Sequence, residues 1–566
     1  MSPMEQKSEV LHWKNFSQWA YAICVVTFDL ELGQAMELVY PSHCELSERE
    51  RANICYLAFP DSNSGLMGNV QFHFRIRMCP ETRRNLIQTS SSNFNEKYPV
   101  SLKGDIGYLY GYVYFRQVKD KSLKRGYFQK SVVLLSSLPF VSLFSHIMEI
   151  IAPEYFDRGE ASLEAACHDI DQWLPPLPGP LTLPLHGNLI KVSINLLVSV
   201  LRIPSRQDKM GNITQSFNTE SVTATPSIVI PNPHDIPAFP ILAPVLPYLN
   251  LLWELILIAE PVVVMATSPT TAANMVQTLV SLISPLKYCG DYRPFFTIHD
   301  SEFKEYTIRA SAPPNVILGV TNPFFAKTLQ HWPHIIRVCE EAGSGKAKLS
   351  KQKTLKVVEH KPGVYTKYKP YLQPDKNLVK RLLKGVQMGR PVEVQSALLR
   401  RHLLELTQSF IIPLERYAAS LMPLQKNVSP YKSTPTLRPF NTEEFLSTLE
   451  SSGPQLTSGI KGDWHSLYKC FFKTCNFSSW FNQRHQEMSK KLSVLHMQAI
   501  CDANMKEWVG SKCEVEVVDM VLRLREKLRI SENLDFSNDI AGKLQTQIEL
   551  LISYLPEDVK SVIKKS

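Results

Sequence analysis

The segment from Leu251 to Tyr288 constrains the fold more than any other part of the chain. Its sequence, LLWELILIAEPVVVMATSPTTAANMVQTLVSLISPLKY, contains an apolar stretch, a β-branched run, a short polar turn and a second apolar-periodic stretch. This order predicts a helix, a buried strand and a helix, as in an α/β domain. Ser268 followed by Pro269 is typical of a helix start, because the serine side chain can cap the helix and proline suits its first position.

A strand that leads into a helix N-terminus is a common place for a bound phosphate. Such a site needs glycines so that the backbone can approach the ligand, and the chain has none between Met265 and Asn274. The sequence GSGK, Gly343 to Lys346, has Glu340 where the motif requires an earlier glycine and Ala347 where a hydroxyl would bind magnesium. The segment is therefore predicted to be architectural, and we expect no bound cofactor.

Length and composition indicate a globular protein of several domains. A chain of 566 residues corresponds to roughly three to four domains, and 44% hydrophobic residues are enough to fill their cores. The most apolar run, Leu249 to Met265, is interrupted by Glu254, Glu260 and Pro261, so we expect no transmembrane segment. The charged N-terminal sequence does not have the apolar centre of a secretory signal. We therefore expect a soluble, intracellular protein.

Cysteine usage supports the same expectation. The eleven cysteines are scattered singly, and their odd number is unlike a secreted disulfide framework. Four possible zinc ligands lie near one another in the sequence, but their spacings fit no common zinc site, and buried cysteines with surface histidines are favoured. We expect no metal at these four residues, His465, Cys470, Cys475 and His485.

Positive charge is concentrated between Lys346 and Arg390. This window has thirteen Lys and Arg against Glu359 and Asp375, a net charge of +11 in a chain whose total is +9. Such a cluster attracts lipid headgroups or an acidic protein face, but a solvated, partly flexible linker is an equally good interpretation. We expect no nucleic-acid partner, because prolines interrupt the tyrosines of this window. The candidate membrane or acidic-surface contacts are Lys346, Lys348, Lys351, Lys353 and Lys356.

The first part of the chain predicts the order strand, strand, helix, three strands, helix. Ser47 and Glu50 form a capping-box pattern at the start of the first helix. The third strand, NVQFHFRIRM, alternates between two faces, and a hairpin turn is expected around Lys124 to Gly126. These patterns predict an α+β domain with an antiparallel meander. On the third strand, Phe72, Phe74 and Ile76 share one face and His73, Arg75 and Arg77 share the other.

The remainder of the chain changes character twice. Residues 158–240 are rich in proline and polar residues, which is typical of a linker. The α/β segment, Pro244 to Phe325, includes RPFFTIH and NVILGVTN, which predict two more strands separated by about the length of a crossover. The C-terminal third predicts helices alone, with approximate bounds Val392 to Leu421, Thr442 to Leu449, Trp464 to Lys490, a helix ending near Trp508, Glu514 to Leu528, and Asn538 to Ser553.

Three ordered blocks make the chain resemble the DENN-domain family, and within it the subfamily 6 proteins. The first is VVTFDLELGQAMELVYP, the second runs from PVLPYLNLLWEL to FFTIHD, and the third is the helical region. The resemblance implies an upstream longin-like antiparallel sheet with helices, a central α/β module and a downstream helical module. The chain departs from the family pattern at Thr321 to Cys339, where many members have an acidic strand. The implied divisions are a tail at 1–18, the upstream domain at 19–157, the linker region at 158–240, the central domain at 241–340, the basic linker at 341–390 and the downstream domain at 391–566.

The resemblance implies a guanine nucleotide exchange factor that promotes GDP release from a Rab GTPase in endosomal recycling traffic. Such a protein makes no covalent bond, and the partner GTPase carries the nucleotide and the magnesium. The expected location is the cytoplasm, with recruitment to recycling endosomes. A non-catalytic Rab effector or trafficking scaffold, and a Rab GTPase activator, remain as alternatives.

Polar residues on the first sheet and on the central turn are the candidate contacts with the GTPase. Tyrosine and arginine are favoured at protein interfaces, although a solvated or inter-domain sheet face would explain the same alternation. The candidates are His73, Arg75, Arg77, Tyr110, Tyr112, Tyr114, Arg116, Ser268 and Thr270.

Overall fold

The computed structural model confirms the predicted mixed fold, with an antiparallel sheet first, an α/β module next and helices last. The chain forms two compact units, one made of Met1–Gln408 with Gln455–Asn476 and the other of Ser409–Pro454 with Phe477–Ser566. The structure describes residues 13–29, 31, 33–61, 68–89, 103–105, 107–122, 126–194, 227–308, 312–338, 362–454, 459–532 and 538–563.

The first sheet has five antiparallel strands in the order β2-β1-β5-β4-β3. The last three strands form the predicted meander, and the β1–β2 hairpin joins it through β5. Strand β3 is therefore an edge strand. The strands are β1 (Ala22–Asp29), β2 (Gly33–Tyr40), β3 (Gly68–Arg77), β4 (Tyr108–Lys119) and β5 (Tyr127–Ser136).

Helices cover both faces of this sheet. Phe74 and Ile76 point into a core that also contains Ile54 and Leu57 of the first long helix, whereas a later helix packs on the opposite face. The predicted capping box is present, because Ser47 accepts from the amide of Glu50 and the Glu50 carboxylate accepts from the Ser47 amide. The helices are α1 (Phe16–Trp19), α2 (Glu48–Leu57), α3 (Pro80–Thr89), α4 (Val141–Arg158) and α5 (Glu160–Asp171).

The region predicted as a linker contains a second small sheet. Its strands are ordered β6-β7-β8, with an antiparallel β6–β7 hairpin and a parallel β7–β8 pair. The hairpin turns at His186 and Gly187, both of which have positive φ. Alternating apolar residues of β7 are buried, which explains why this proline-rich segment folds. The strands are β6 (Gly179–Leu185), β7 (Asn188–Ile194) and β8 (Ser227–Ile230).

The central sheet has the order β10-β11-β9-β12-β13, with β13 antiparallel to the other four. The predicted helix start is confirmed, since Ser268 accepts from the amide of Thr271 and Pro269 is the first helical residue. The strand predicted over RPFFTIH ends at Arg293, because Pro294 has no N–H with which to extend it. The strands are β9 (Val262–Ala266), β10 (Asp291–Arg293), β11 (Val316–Val320), β12 (His334–Val338) and β13 (Gly363–Thr366).

The helices on either side of β9 follow the α/β prediction. A helix forms inside the basic window, where a linker was predicted. The helices are α6 (Ala238–Leu242), which continues through a 3₁₀ turn (Ala243–Tyr248) into α7 (Leu249–Leu257), and then α8 (Pro269–Ser281), α9 (Phe303–Thr307), α10 (Phe325–Thr328) and α11 (Lys376–Gln387).

The C-terminal part is helical, as predicted. The single helix expected from Trp464 to Lys490 is two helices, because the chain turns at residues 472–474, where the Thr474 hydroxyl donates to the Phe471 carbonyl. The second unit has its own apolar core, which includes Val521, Leu544 and Leu551. The helices are α12 (Val392–Ser420), α13 (Thr442–Ser452), α14 (Trp464–Phe471), α15 (Cys475–Cys501), α16 (Met505–Val509), α17 (Glu514–Glu532), α18 (Asn538–Ser553) and α19 (Glu557–Ile563).

One helical stretch within the described residues is long and apolar enough to cross a membrane by length and composition. It is Ala238–Leu257, where the sequence predicted no span. Two-thirds of its apolar window, 67%, is buried inside the protein, as in the core helix of a folded domain. Length and composition therefore do not distinguish a span from a core helix here.

Candidate functional site

The edge strand β3 lies against the central module. Its Phe72 ring packs edge-on against Phe295 with centroids 5.2 Å apart, and the Thr270 hydroxyl donates to the Gln71 carbonyl. Covering an edge strand in this way removes unpaired backbone groups from solvent. Between β3 and the central module lies a set of ion pairs that we call the charged seam. It consists of Arg75, Arg77, Asp105, Asp291, Arg293 and Glu302.

Arg75 is the central cation of the charged seam and is only 2% exposed. Its Nη1 donates to Asp291 Oδ1 at 2.8 Å and to the Tyr292 carbonyl at 3.1 Å, and its Nη2 donates to Asp105 Oδ2 at 2.6 Å. The guanidinium lies over the Tyr108 ring, with Cζ 3.4 Å from the centroid. Two carboxylates and a ring thus fix Arg75 in place, which leaves its guanidinium unavailable to a partner.

Asp291 and Glu302 connect the remaining arginines of the charged seam. Asp291 Oδ2 accepts from Arg77 Nη2 at 3.0 Å and pairs with Arg293 Nη2 at 3.2 Å. Glu302 pairs closely with Arg293 and reaches Arg77 Nη1 at 3.4 Å. Arg293 also donates to the carbonyl of Arg75. The charged seam therefore joins the side chains and the backbone of β3 to the central module.

The cations of the charged seam keep its buried aspartates ionised. Burial would raise the pKa of Asp105, but the neighbouring charges of Arg75 and Lys287 outweigh burial and lower that pKa. Burial likewise opposes ionisation of Asp291, and three arginines, Arg293 first, hold its pKa below the usual range. Both carboxylates are therefore ionised at neutral pH, which is what buried arginines require.

Five predicted partner contacts lie inside the protein, so their assignment to an accessible face is corrected. The sequence argument left open an inter-domain face, and helix α4 and the central module cover this one. The Tyr112 hydroxyl donates to the Leu138 carbonyl, and its ring lies 4.8 Å from that of Phe144 on α4. The five buried residues are His73, Arg75, Tyr110, Tyr112 and Tyr114.

The four other predicted contacts fall into two groups. Ser268 is buried and caps α8, so it too is corrected to an interior residue. Arg77, Arg116 and Thr270 retain partial exposure; the Arg77 side chain is 47% exposed. For these three, partner contact remains a prediction.

The structure does not bring Arg77 and Arg116 together. Arg116 pairs in register with Asn69 near the start of β3, whereas Arg77 ends that strand. Eight residues of strand separate the two positions, or about 26 Å at 3.3 Å per residue. Thr270, which bonds to Gln71, lies toward the Arg116 end. Any partner that contacts all three must therefore reach across about this distance.

Sequence reasoning missed all three carboxylates of the charged seam and its third arginine, Arg293. One signal was available: Asp291 and Arg293 flank Tyr292 in the stretch DYRPFF, immediately before apolar residues. Charged residues within a buried strand need partners, so this pattern predicts an ion pair. Which cation or carboxylate supplies the partner depends on the tertiary fold.

A cavity of about 190 Å³ adjoins the seam. Its lining includes Thr278 of α8 and two charge pairs, Lys287 with Asp105 and Arg400 with Asp235, each at 2.7 Å. Within the residues that the structure describes, no group of three or more His, Cys, Asp and Glu side chains could hold a metal ion. The paired lining charges suit a neutral occupant better than a phosphate.

The predicted membrane contacts lie outside the described residues. They are Lys346, Lys348, Lys351, Lys353 and Lys356.

Comparison with known proteins identifies the family. Residues 20–167 match the family described as transport protein Avl9, and residues 505–566 match the DENND6 C-terminal domain. Protein DENND6A of Gallus gallus is 52% identical over 99% of this chain and 96% of its own length. The chain belongs to the DENND6 family. Protein DENND6B of Homo sapiens is 52% identical over 97% of this chain and 94% of its own length, and the DENND6 homolog of Dictyostelium discoideum is 33% identical over 95% and 81%.

Membership of the DENND6 family confirms the resemblance inferred from the sequence, so the protein is a DENN-domain protein. The Avl9 match covers the first sheet with α4 and the first part of α5, and thus includes the β3 side of the charged seam. The DENND6 C-terminal match begins at α16 and covers the last helices of the second unit.

Proposed function

We propose that this DENND6-family protein is a guanine nucleotide exchange factor that promotes GDP release from a Rab GTPase. Membership of the DENND6 family is the observation that carries the proposal. Exchange requires no bond to be made by the protein. A factor that binds the nucleotide-free GTPase more tightly than the GDP-bound form shifts the equilibrium toward release. The GTPase itself carries the nucleotide and the magnesium.

A rigid two-part surface supports this activity. The charged seam holds β3 against the central module through ion pairs that are mostly buried, so the two parts present their outer residues in a fixed relation. Because this surface is already ordered, little binding free energy is lost in ordering the exchange factor, and more is left to favour one conformation of the GTPase.

The proposed contacts lie at the two ends of β3. Arg77 is at one end, and Arg116 and Thr270 are toward the other. Partly exposed arginines are frequent contributors to protein interfaces. The buried residues His73, Arg75, Tyr110, Tyr112 and Tyr114 then act indirectly, by supporting the strand that carries Arg77.

Two other functions compete with exchange. An effector or scaffold would bind the GTP-loaded GTPase and leave its nucleotide in place. A GTPase activator would insert an arginine, which raises hydrolysis by about 10³–10⁵-fold. Arg75 is a poor candidate for that role because it is buried and doubly paired.

We further propose that the protein acts in the cytoplasm and is recruited to recycling endosomes. The basic window supports recruitment to anionic membranes, because each Lys or Arg near such a surface contributes about 1 kcal/mol.

The deciding experiment measures GDP release from a panel of Rab proteins mixed with the purified full chain. We expect faster release from at least one Rab. Arg77→Ala and Arg116→Ala should each slow that release by roughly 10-fold, the effect of losing about 1.4 kcal/mol at an interface. Arg158→Ala is the matched control, since Arg158 is an exposed arginine of the same module that pairs only locally, with Glu154.

Two results would reject the proposal. The first is no acceleration for any Rab together with tighter binding of the GTP-loaded form, which would establish an effector. The second is faster GTP hydrolysis that is lost in Arg77→Ala or Arg116→Ala, which would establish an activator.

A further inference from the structure

Within the described part of the chain, helix α11 is buried along one face. Leu378, Leu382 and Gly385 are buried, and the Gln395 side chain donates to the Leu382 carbonyl at 3.0 Å. A Cβ at Gly385 would lie within 3 Å of the same Gln395 side chain, so the contact is close. The remaining faces of α11 point away from this contact.

One of those faces is apolar and exposed. Leu383 is 51% exposed and Val386 is 53% exposed, and residues three apart share a face of a helix. Met388, just after the helix, is 67% exposed. Leu383 and Val386 thus form an exposed apolar stripe on one face of the helix. Met388 lies about 140° from Leu383 around the axis, at 100° per residue, and so stands outside this stripe.

The next face of α11 is basic. Lys376 and Lys380 lie within about 60° of Leu383 around the helix, at 100° per residue. Lys384 and Arg381 continue the basic face. None of these four cations has an ion-pair partner among the described residues. The nearby Asp375 is engaged as the helix cap, since it accepts from the amides of Asn377 and Leu378.

We propose that α11 binds an anionic lipid membrane. An exposed apolar stripe beside unpaired cations matches a bilayer surface, where hydrocarbon lies beneath negatively charged headgroups. Leu383 and Val386 enter the interface, and the lysines contact the headgroups. Because the buried face of α11 is packed against the protein, the helix is already oriented before it meets the membrane. This inference rests on the proposed recruitment to anionic membranes, since α11 lies within the basic window. It is independent of the exchange activity, because none of these residues belongs to the charged seam or its ends.

The test is flotation of the purified full chain with vesicles of phosphatidylcholine, with or without phosphatidylserine. We expect binding only to vesicles with phosphatidylserine. Replacing Lys380, Arg381 and Lys384 together by alanine should weaken that binding on the order of 100-fold, from about fivefold per cation. Replacing Leu383 and Val386 together by serine should weaken it at least 10-fold, because each CH₂ that leaves the interface weakens binding by about fourfold.

Helix α17 offers a matched control. Val515 and Leu522 are 76% and 50% exposed, but the residues around them include Glu514, Glu516 and Asp519. Replacing Val515 and Leu522 by serine removes exposed apolar surface without touching a basic face. This variant should bind the anionic vesicles as the unchanged protein does.

Hydrogen exchange locates the contact without any substitution. Amides of residues 376–390 should exchange more slowly when anionic vesicles are added. Unchanged exchange there would overturn the proposal, as would equal binding to both kinds of vesicle. If the cation variant loses binding and the serine variant binds fully, the protein adsorbs to the vesicles by charge alone. That result would also overturn the proposal, because it would show that the apolar side chains of α11 do not enter the membrane.

Discussion

The charged seam and helix α11 use the same residue types in opposite ways. In the seam, Arg75 and Arg293 are buried and each pairs with two carboxylates. On α11, Lys380 and Lys384 are exposed and have no ion-pair partner within the described part of the chain. A buried cation costs several kcal/mol unless it is paired, whereas an exposed one is free to attract another molecule. Pairing and burial, rather than charge alone, therefore decide whether a cation stabilises the fold or can contact another molecule.

The largest expected effect comes from two arginines that are two residues apart on β3. Arg75→Met should lower the free energy of unfolding by about 3–5 kcal/mol, because it leaves buried carboxylates with fewer partners. Arg77→Met should cost about 1 kcal/mol or less, since its side chain is 47% exposed. Urea unfolding followed by tryptophan fluorescence measures both. Equal shifts would mean that burial does not distinguish the two positions.

A smaller effect is expected from pH. Burial lowers the pKa of His73 to about 3, against about 6.5 in an unfolded chain. The unfolded state therefore binds more protons between these values, so the stability that His73 contributes is complete above pH 6.5 and is lost as the pH falls. Between pH 6.5 and 5 the loss is about 2 kcal/mol, at 1.36 kcal/mol per unit.

His73→Leu should make unfolding less dependent on pH over this range, when midpoints in urea are compared at each pH. His234 will leave a residual dependence of the same sign, because burial lowers its pKa to about 4. An unchanged slope in His73→Leu would show that His73 is solvated and that α4 does not cover this face.

The smallest effects concern the helix caps of the two regions. Ser268 caps α8 beside β3, and Asp375 caps α11. Alanine at either position should cost about 1 kcal/mol. Asp375→Ala should also weaken vesicle binding by loosening the start of α11, while Ser268→Ala should leave it unchanged. Thermal unfolding measures the stability, and flotation measures vesicle binding. Weaker flotation of Ser268→Ala with unchanged flotation of Asp375→Ala would contradict a role of α11 in membrane binding.

Local features of the fold could be predicted from the sequence because they depend on neighbouring residues. The capping box of Ser47 and Glu50, the cap at Ser268 and the alternation of β3 are of this kind. What covers the polar face of β3 could not be predicted in this way. Arg75 and its partner Asp291 are 216 residues apart, and periodicity carries no information about such a contact.

Helix α11 was missed for a different reason. Its residues lie in a window whose overall composition resembles a linker, and that average obscured a short amphipathic pattern. Asp375 as a cap, followed by Leu378 and Leu382 four residues apart, was a sufficient local signal for a helix. The exposed position of Leu383 could not be predicted, because it depends on which side of the helix Gln395 contacts.

We propose that residues at the ends of β3 contact the GTPase and that α11 contacts the membrane. The most direct measurement is the rate of GDP release from a responsive Rab, in solution and on anionic vesicles that carry the same Rab. Serine at Leu383 and Val386 should leave the rate in solution unchanged and lower it on vesicles, whereas Arg77→Ala should lower both rates. A serine variant that is slow in solution, or an Arg77→Ala variant that is slow only on vesicles, would contradict this account.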